Sequence, residues 1–167
     1  MGPATYKAGI TLSTMKPTQK NTYLKLLLIV LFTVWGQAGQ AQQDLSVMEY
    51  VIKERPVLAG LLTKAGFTPL LSGGTPVTLL APPESALQSI SNEPPERLRA
   101  ILSSHILKGV HLEKDMKDGK RIQSVCSTSV TIYHKKGQTL VNGVSIQRPD
   151  VQVKNGVVHE LSSILRI

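Results

Sequence analysis

From residue 42 onward, apolar positions first recur with helical spacing and later crowd together as they do in strands. Leu45, Met48, Val51 and Ile52 fall on one stripe, and Ser46 followed by Glu49 has the spacing of a capping box. The pattern predicts a helix there, interrupted at Pro56. Proline suits a first helical turn, where its missing N–H would have no partner anyway, so a second helix begins at Pro56. Leu58, Leu61, Leu62 and Ala65 form its apolar face, and Gly66 is its stop. Residues 67–74 read as a connection rich in turn formers. Val77 to Leu80 is a short apolar run of the kind that fills a buried strand. Ala81-Pro82-Pro83-Glu84 then starts a helical turn with Leu87 and Ile90 inward, and Asn92 to Pro95 leads into another helix. There Leu98, Ile101, Leu102 and His105 recur at helical spacing, with Gly109 as the expected end.

Beyond Ile122 the pattern changes. Val130, Ile132, Leu140, Val141, Val144, Ile146, Val151, Val153, Val157 and Val158 make the chain dense in β-branched residues. Asn142-Gly143 and Asn155-Gly156 are tight-turn signals, and Lys135-Lys136-Gly137 marks a third reversal. Gly143 and Gly156 are expected to supply positive φ in their turns. Helices followed by an antiparallel meander predict an α+β fold.

Charge changes the picture at the N-terminus. The chain of 167 residues has a formal net charge of +8, but Lys7, Lys16, Lys20 and Lys25 precede residue 42 in a stretch without acids. The remaining 126 residues carry 15 basic and 11 acidic side chains, a modest excess. Lysines before an apolar run from Leu26 to Trp35, then Gly39-Gln40-Ala41, have the order of a secretory signal with a small-x-small cleavage site. The apolar run is shorter than the ~20 residues of a membrane span. The expected organisation is a signal peptide over residues 1–41, with Met15 as an alternative start, and one domain over 42–167. The mature protein is expected to be secreted or periplasmic, with no transmembrane span after cleavage. Its single cysteine, Cys126, leaves no internal disulfide and reads as a small buried hydrophobe.

Catalytic patterns are absent from the sequence. His159-Glu160-Leu161-Ser162-Ser163 has serine where the second zinc-binding histidine of His-Glu-x-x-His would stand. No Gly-x-Ser-x-Gly elbow occurs, and Ser72-Gly73-Gly74 lacks the lysine of a phosphate loop. The reading is therefore of a protein that is not an enzyme, with no metal and no cofactor. After loss of the leader only Tyr50, Phe67 and Tyr133 remain as aromatics, too few for base stacking, and export also argues against nucleic acid. A basic cluster, Lys108, His111, Lys114, Lys117, Lys120 and Arg121, is interleaved with Glu113, Asp115 and Asp118. It reads either as a solvated mixed-charge loop or as a surface for an acidic polysaccharide or headgroup. Lys135-Lys136 reads as a turn or edge device against aggregation.

Several stretches in order resemble the fasciclin domain family. Thr78-Leu79-Leu80-Ala81-Pro82-Pro83-Glu84-Ser85-Ala86-Leu87 looks like its first signature. Leu98 to His105 resembles the helix that in the family ends in Tyr-His, and Asp118-Gly119 a turn common there. Val141-Asn142-Gly143, Asp150 and Asn155-Gly156-Val157-Val158-His159 through Leu165 resemble the closing signature. The resemblance implies a β-sandwich-like wedge with N-terminal and intervening helices, of bacterial single-domain type. It also implies a noncatalytic role in cell adhesion, bound to a cell-surface protein or polysaccharide. The alternative it permits is a carrier of a small apolar ligand, pigment or lipid. Ser104 replaces the tyrosine linked in animal relatives to integrin-dependent adhesion, while Leu87 and Pro83 replace a common phenylalanine and threonine. Glu84 is expected to accept hydrogen bonds from first-turn amides, and His105 and His159 to bond backbone carbonyls from the core. The candidate contact surface comprises Ser104, His105, Lys114, Lys117, Lys120 and Arg121.

Overall fold

A computed structural model describes residues 44–166. The leader expected over residues 1–41 lies outside them. Among the described residues no helix is long and apolar enough to cross a membrane.

Helix α1 (Val47–Glu54) starts on the expected capping box: Ser46 Oγ accepts from the Glu49 amide at 3.3 Å, and the Glu49 carboxylate accepts from the Ser46 amide at 2.7 Å. It buries Val47, Met48, Tyr50 and Val51, whereas Ile52 is 56% exposed, contrary to the stripe read from spacing. The buried face includes Val47 because that residue lies against Gly156, so the stripe is rotated by about one position. Helix α2 (Pro56–Lys64) takes Pro56 in its first turn. It closes at Gly66, whose φ of +77° lets the amides of Gly66 and Phe67 reach the carbonyls of Thr63 and Leu62. The segment read as a connection contains a helix, α3 (Thr68–Ser72), which buries Leu71. Five residues are too few for periodicity to reveal.

Strand β1 (Val77–Ala81) is buried throughout. A short helix α4 (Glu84–Leu87) and a 3₁₀ turn (Gln88–Ile90) follow, burying Leu87 and Ile90. Helix α5 (Pro95–Ser103) buries Leu98 and Leu102 but ends at Ser103 rather than at Gly109. Strand β2 (Ile106–Lys108) begins almost at once and pairs antiparallel with β1. Sheet pairing therefore claims residues that helical spacing had assigned to α5.

The remaining strands are β3 (Arg121–Gln123), β4 (Ser129–Lys135), β5 (Gln138–Val141), β6 (Val144–Val153) and β7 (Gly156–Leu161). They form the expected antiparallel meander within a seven-stranded sheet ordered β2-β1-β7-β6-β5-β4-β3. The unexpected join is β1 with β7, a parallel pair. Leu107 bridges to Ser124, and the Val125 amide donates to the Ile106 carbonyl at 2.9 Å. The two ends of the sheet therefore meet, and it curls into a wedge close to a barrel.

Alternation along β1 explains its burial on both faces. Val77, Leu79 and Ala81 join the cluster under the helices, with Leu58, Leu62, Leu98 and Leu102. Leu80 turns to a second cluster enclosed by the curled sheet, with Leu107, Met116, Ile132, Val141 and Leu161. The architecture is α+β, a wedge with N-terminal and intervening helices.

Candidate binding surface

The loop after β2 carries the basic cluster, and three distant strands hold it. Thr78 of β1 donates through Oγ1 to the Gly109 carbonyl at 2.7 Å and accepts from the His111 amide at 2.9 Å. From β6, Asp150 Oδ1 accepts from the Glu113 amide at 2.8 Å. Asp150 can reach because β6 shifts register around Pro149, which has no amide to give the ladder, and Asp150 takes a φ of +58°. From β7, His159 Nε2 meets the His111 carbonyl at 2.8 Å, while its Nδ1 accepts from the Asp150 amide at 3.1 Å. This pair defines the neutral tautomer with the proton on Nε2. Burial lowers the His159 pKa, outweighing the opposing pull of its His111 carbonyl bond and of Asp150.

This anchoring leaves the cations outside. Lys114, Lys117, Lys120 and Arg121 are exposed, and none forms an ion pair among the described residues. Two of the interleaved acids are occupied elsewhere: Glu113 accepts from Thr139 Oγ1 at 2.9 Å, and Asp118 from the His134 amide at 2.7 Å. Lys120 Nζ donates to the Asp115 carbonyl at 3.1 Å. Met116, 1% exposed, pegs the loop into the second cluster.

Ser104 and His105 lie elsewhere, at 3% and 0% exposure. The Ile101 carbonyl accepts from Ser104 Oγ at 2.7 Å and from His105 Nδ1 at 3.0 Å. His105 Nε2 accepts from the Leu165 amide at 3.0 Å, fastening the last described residues to the α5–β2 junction. Burial pushes its pKa down to about 4. Each histidine therefore bridges one carbonyl and one amide, where carbonyls alone were expected. Of the six residues expected at a contact surface, Ser104 and His105 are thus buried, while Lys114, Lys117, Lys120 and Arg121 are exposed.

Among the other motif residues, the Asn142-Gly143 turn is as expected, whereas Gly156 and Glu84 differ. Asn142 and Gly143, at φ +47° and +84°, turn β5 into β6. Gly156 has no positive φ; a Cβ there would collide with the Val77 carbonyl across the parallel pair. Asn155 is a buried clamp: its Oδ1 accepts from the Val47 amide at 2.7 Å, and its Nδ2 donates to the carbonyls of Leu71 and Gly73. Glu84 is exposed and makes no capping hydrogen bond, because Pro83 occupies the cap and the helix has only four residues. Ala81 and Pro82 are buried. His159 and Glu160 lie on a strand, so no helical zinc pair forms, and Glu160 instead pairs with Arg55 and Arg148. Among the described residues no cluster of three His, Cys, Asp or Glu could hold a metal. Cys126 is exposed, not buried, because it sits in the turn joining β3 and β4.

Sequence reasoning missed a cleft of about 660 Å³ where α3, α5 and the ends of β1 and β2 meet the β3–β4 connection. Phe67 lines it, and the Arg99 guanidinium stands 5.0 Å from the centre of that ring. The contributing residues come from five separated stretches, so no linear motif announces them.

Comparison with known proteins agrees with this architecture. The fasciclin domain model matches residues 54–167. Transforming growth factor-beta-induced protein ig-h3 of Sus scrofa is 29% identical over 116 residues, covering 65% of this chain and 17% of that protein. Stabilin-1 of Mus musculus is 28% identical over 98 residues, covering 53% of this chain and 4% of that protein. The chain thus spans only a small part of these curated relatives. A FAS1 domain pair from the insect cell adhesion molecule fasciclin I superposes with a TM-score of 0.60 at 16% identity, over 75% of this chain and 52% of that one. The family match runs from the end of α1 through the whole curled sheet, and the chain belongs to the fasciclin domain family.

Proposed function

We propose that this fasciclin domain is a noncatalytic binding module working outside the cytoplasm, exported by a leader over residues 1–41 and active as the domain of residues 42–167. It attaches to an anionic cell-surface protein or polysaccharide through Lys114, Lys117, Lys120 and Arg121. The observation that carries this reading is the rigidly anchored loop, with its cations outward and unpaired among the described residues. A preformed cationic surface steers an anionic partner without the cost of ordering the loop backbone. The structural likeness to an insect cell adhesion molecule supports adhesion as the setting. A noncatalytic role accords with His105 and His159, whose ring nitrogens are all committed to backbone groups.

The test is binding of the purified protein to envelope material from the source cells at two salt concentrations. Changing Lys114, Lys117 and Lys120 together to glutamate is expected to weaken binding roughly tenfold in low salt and little in high salt, since screening shortens the reach of exposed charges. Binding unchanged by the charge reversal would remove the loop from the reading.

The missed cleft favours a second reading, a carrier of a small apolar ligand such as a pigment or lipid. Its volume of about 660 Å³ falls within the ~300–1,000 Å³ typical of small-molecule sites.

A further inference from the structure

We propose that the cleft between α3, α5 and the β1–β2 edge binds a monomeric carboxylate amphiphile, an acyl chain whose negative head meets Arg99 and Lys108. This inference rests on the carrier reading and assigns it a site and a ligand class.

The cleft joins an apolar wall to a cationic rim. Phe67, Pro69, Leu70, Pro76 and Val125 give it an apolar wall suited to methylenes. Arg99 and Lys108 are its only charged lining residues, both cationic, and neither forms an ion pair among the described residues. The Arg99 head is already positioned. Its Nη1 donates to the Ala65 carbonyl at 3.1 Å, and its guanidinium lies against Phe67 at 5.0 Å from the ring centre. A guanidinium has five N–H donors, so most remain for a carboxylate, which can accept two in parallel. Lys108, exposed at the end of β2, adds a second charge. A neutral pigment would leave both cations unused, and a flat bilayer surface does not enter a concave cleft. A single acyl chain with one anionic head satisfies both wall and rim.

Cys126 supplies a local reporter, being the chain's single cysteine, exposed, and part of the same lining. The experiment titrates the full chain with laurate below its micelle-forming concentration, and in parallel with dodecanol, by calorimetry. The rate of Cys126 alkylation by N-ethylmaleimide is followed in each case. Saturable laurate binding is expected, about tenfold tighter than dodecanol, with Cys126 alkylation slowed several-fold. Arg99→Gln with Lys108→Gln should weaken laurate about tenfold and leave dodecanol unchanged. Lys108→Gln alone alters only an exposed side chain and should weaken laurate about threefold, so the test survives if the double variant misfolds. Equal binding of laurate and dodecanol with Cys126 protected would overturn the carboxylate assignment while leaving the carrier reading intact. Laurate binding without Cys126 protection would overturn the site. No binding of either compound would overturn this inference and leave the carrier reading to a pigment alone.

Discussion

At the scale of single residues, Gly143 and Gly156 look interchangeable in sequence, each following an asparagine in a turn, yet they are needed for different reasons. Gly143 holds a φ of +84° with open space around it, so a side chain there costs only backbone strain. Gly156 has no positive φ but faces the Val77 carbonyl and Val47 Cγ2. Gly143→Ala should cost about 1 kcal/mol, the usual penalty for a left-handed non-glycine residue. Gly156→Ala should cost about 3 kcal/mol, since backbone cannot move aside as a flexible side chain can. Urea midpoints of the two variants measure this, and equal shifts would refute the distinction. The Asn-Gly pair was readable as a turn signal in both places. Which glycine served conformation and which served packing was not, because the close approach involves a strand 79 positions away.

At the scale of elements, helix beginnings were more legible than helix ends. The box at Ser46 and the prolines at Pro56 and Pro95 act through neighbouring amides, so their effect is written locally. The end of α5 depends on a competitor: Ile106, Leu107 and Lys108 pair with Leu79, Thr78 and Val77, which withdraws them from the helix. The short helix α3 is held in the same nonlocal way, with Asn155 donating to the Leu71 carbonyl at 2.9 Å and to the Gly73 carbonyl at 2.6 Å. Asn155 also receives the Val47 amide, so one side chain ties α1 and α3 to the β6–β7 turn. Asn155→Ala should therefore destabilise the protein by about 3 kcal/mol, because it strands buried donors and acceptors rather than merely losing bonds. Amide hydrogen exchange should show the loss of protection centred on α1 and α3. A loss confined to the β6–β7 turn would contradict this account.

At the scale of the whole molecule, two buried neutral histidines couple the fold to pH. His105 fastens the segment at Leu165 to the α5–β2 junction, and His159 fastens the basic loop to the sheet. Burial is the main cause that lowers both pKa values, that of His105 to about 4 from its ordinary 6.5. Below pH 6.5 the unfolded chain therefore binds protons that the folded chain refuses, and stability falls with pH. The contribution is fully present above about 6.5 and is lost toward about 4, on the order of 3 kcal/mol for His105. His105→Asn should be less stable at neutral pH but lose stability more gradually on acidification, by about one proton's slope in urea unfolding between pH 6.5 and 4. An unaltered slope would show that His105 is not the titrating group. The sequence by itself determined the class of fold, the helix starts, the hairpin turns and the family resemblance, because these depend on propensity, patterning and contacts between near neighbours. Tertiary structure alone decided the parallel β1–β7 pair, the inward placement of Ser104, the anchoring of the basic loop and the cleft beside Arg99. Each of these joins residues far apart in the chain, and local pattern carries no information about which distant surface a side chain will meet.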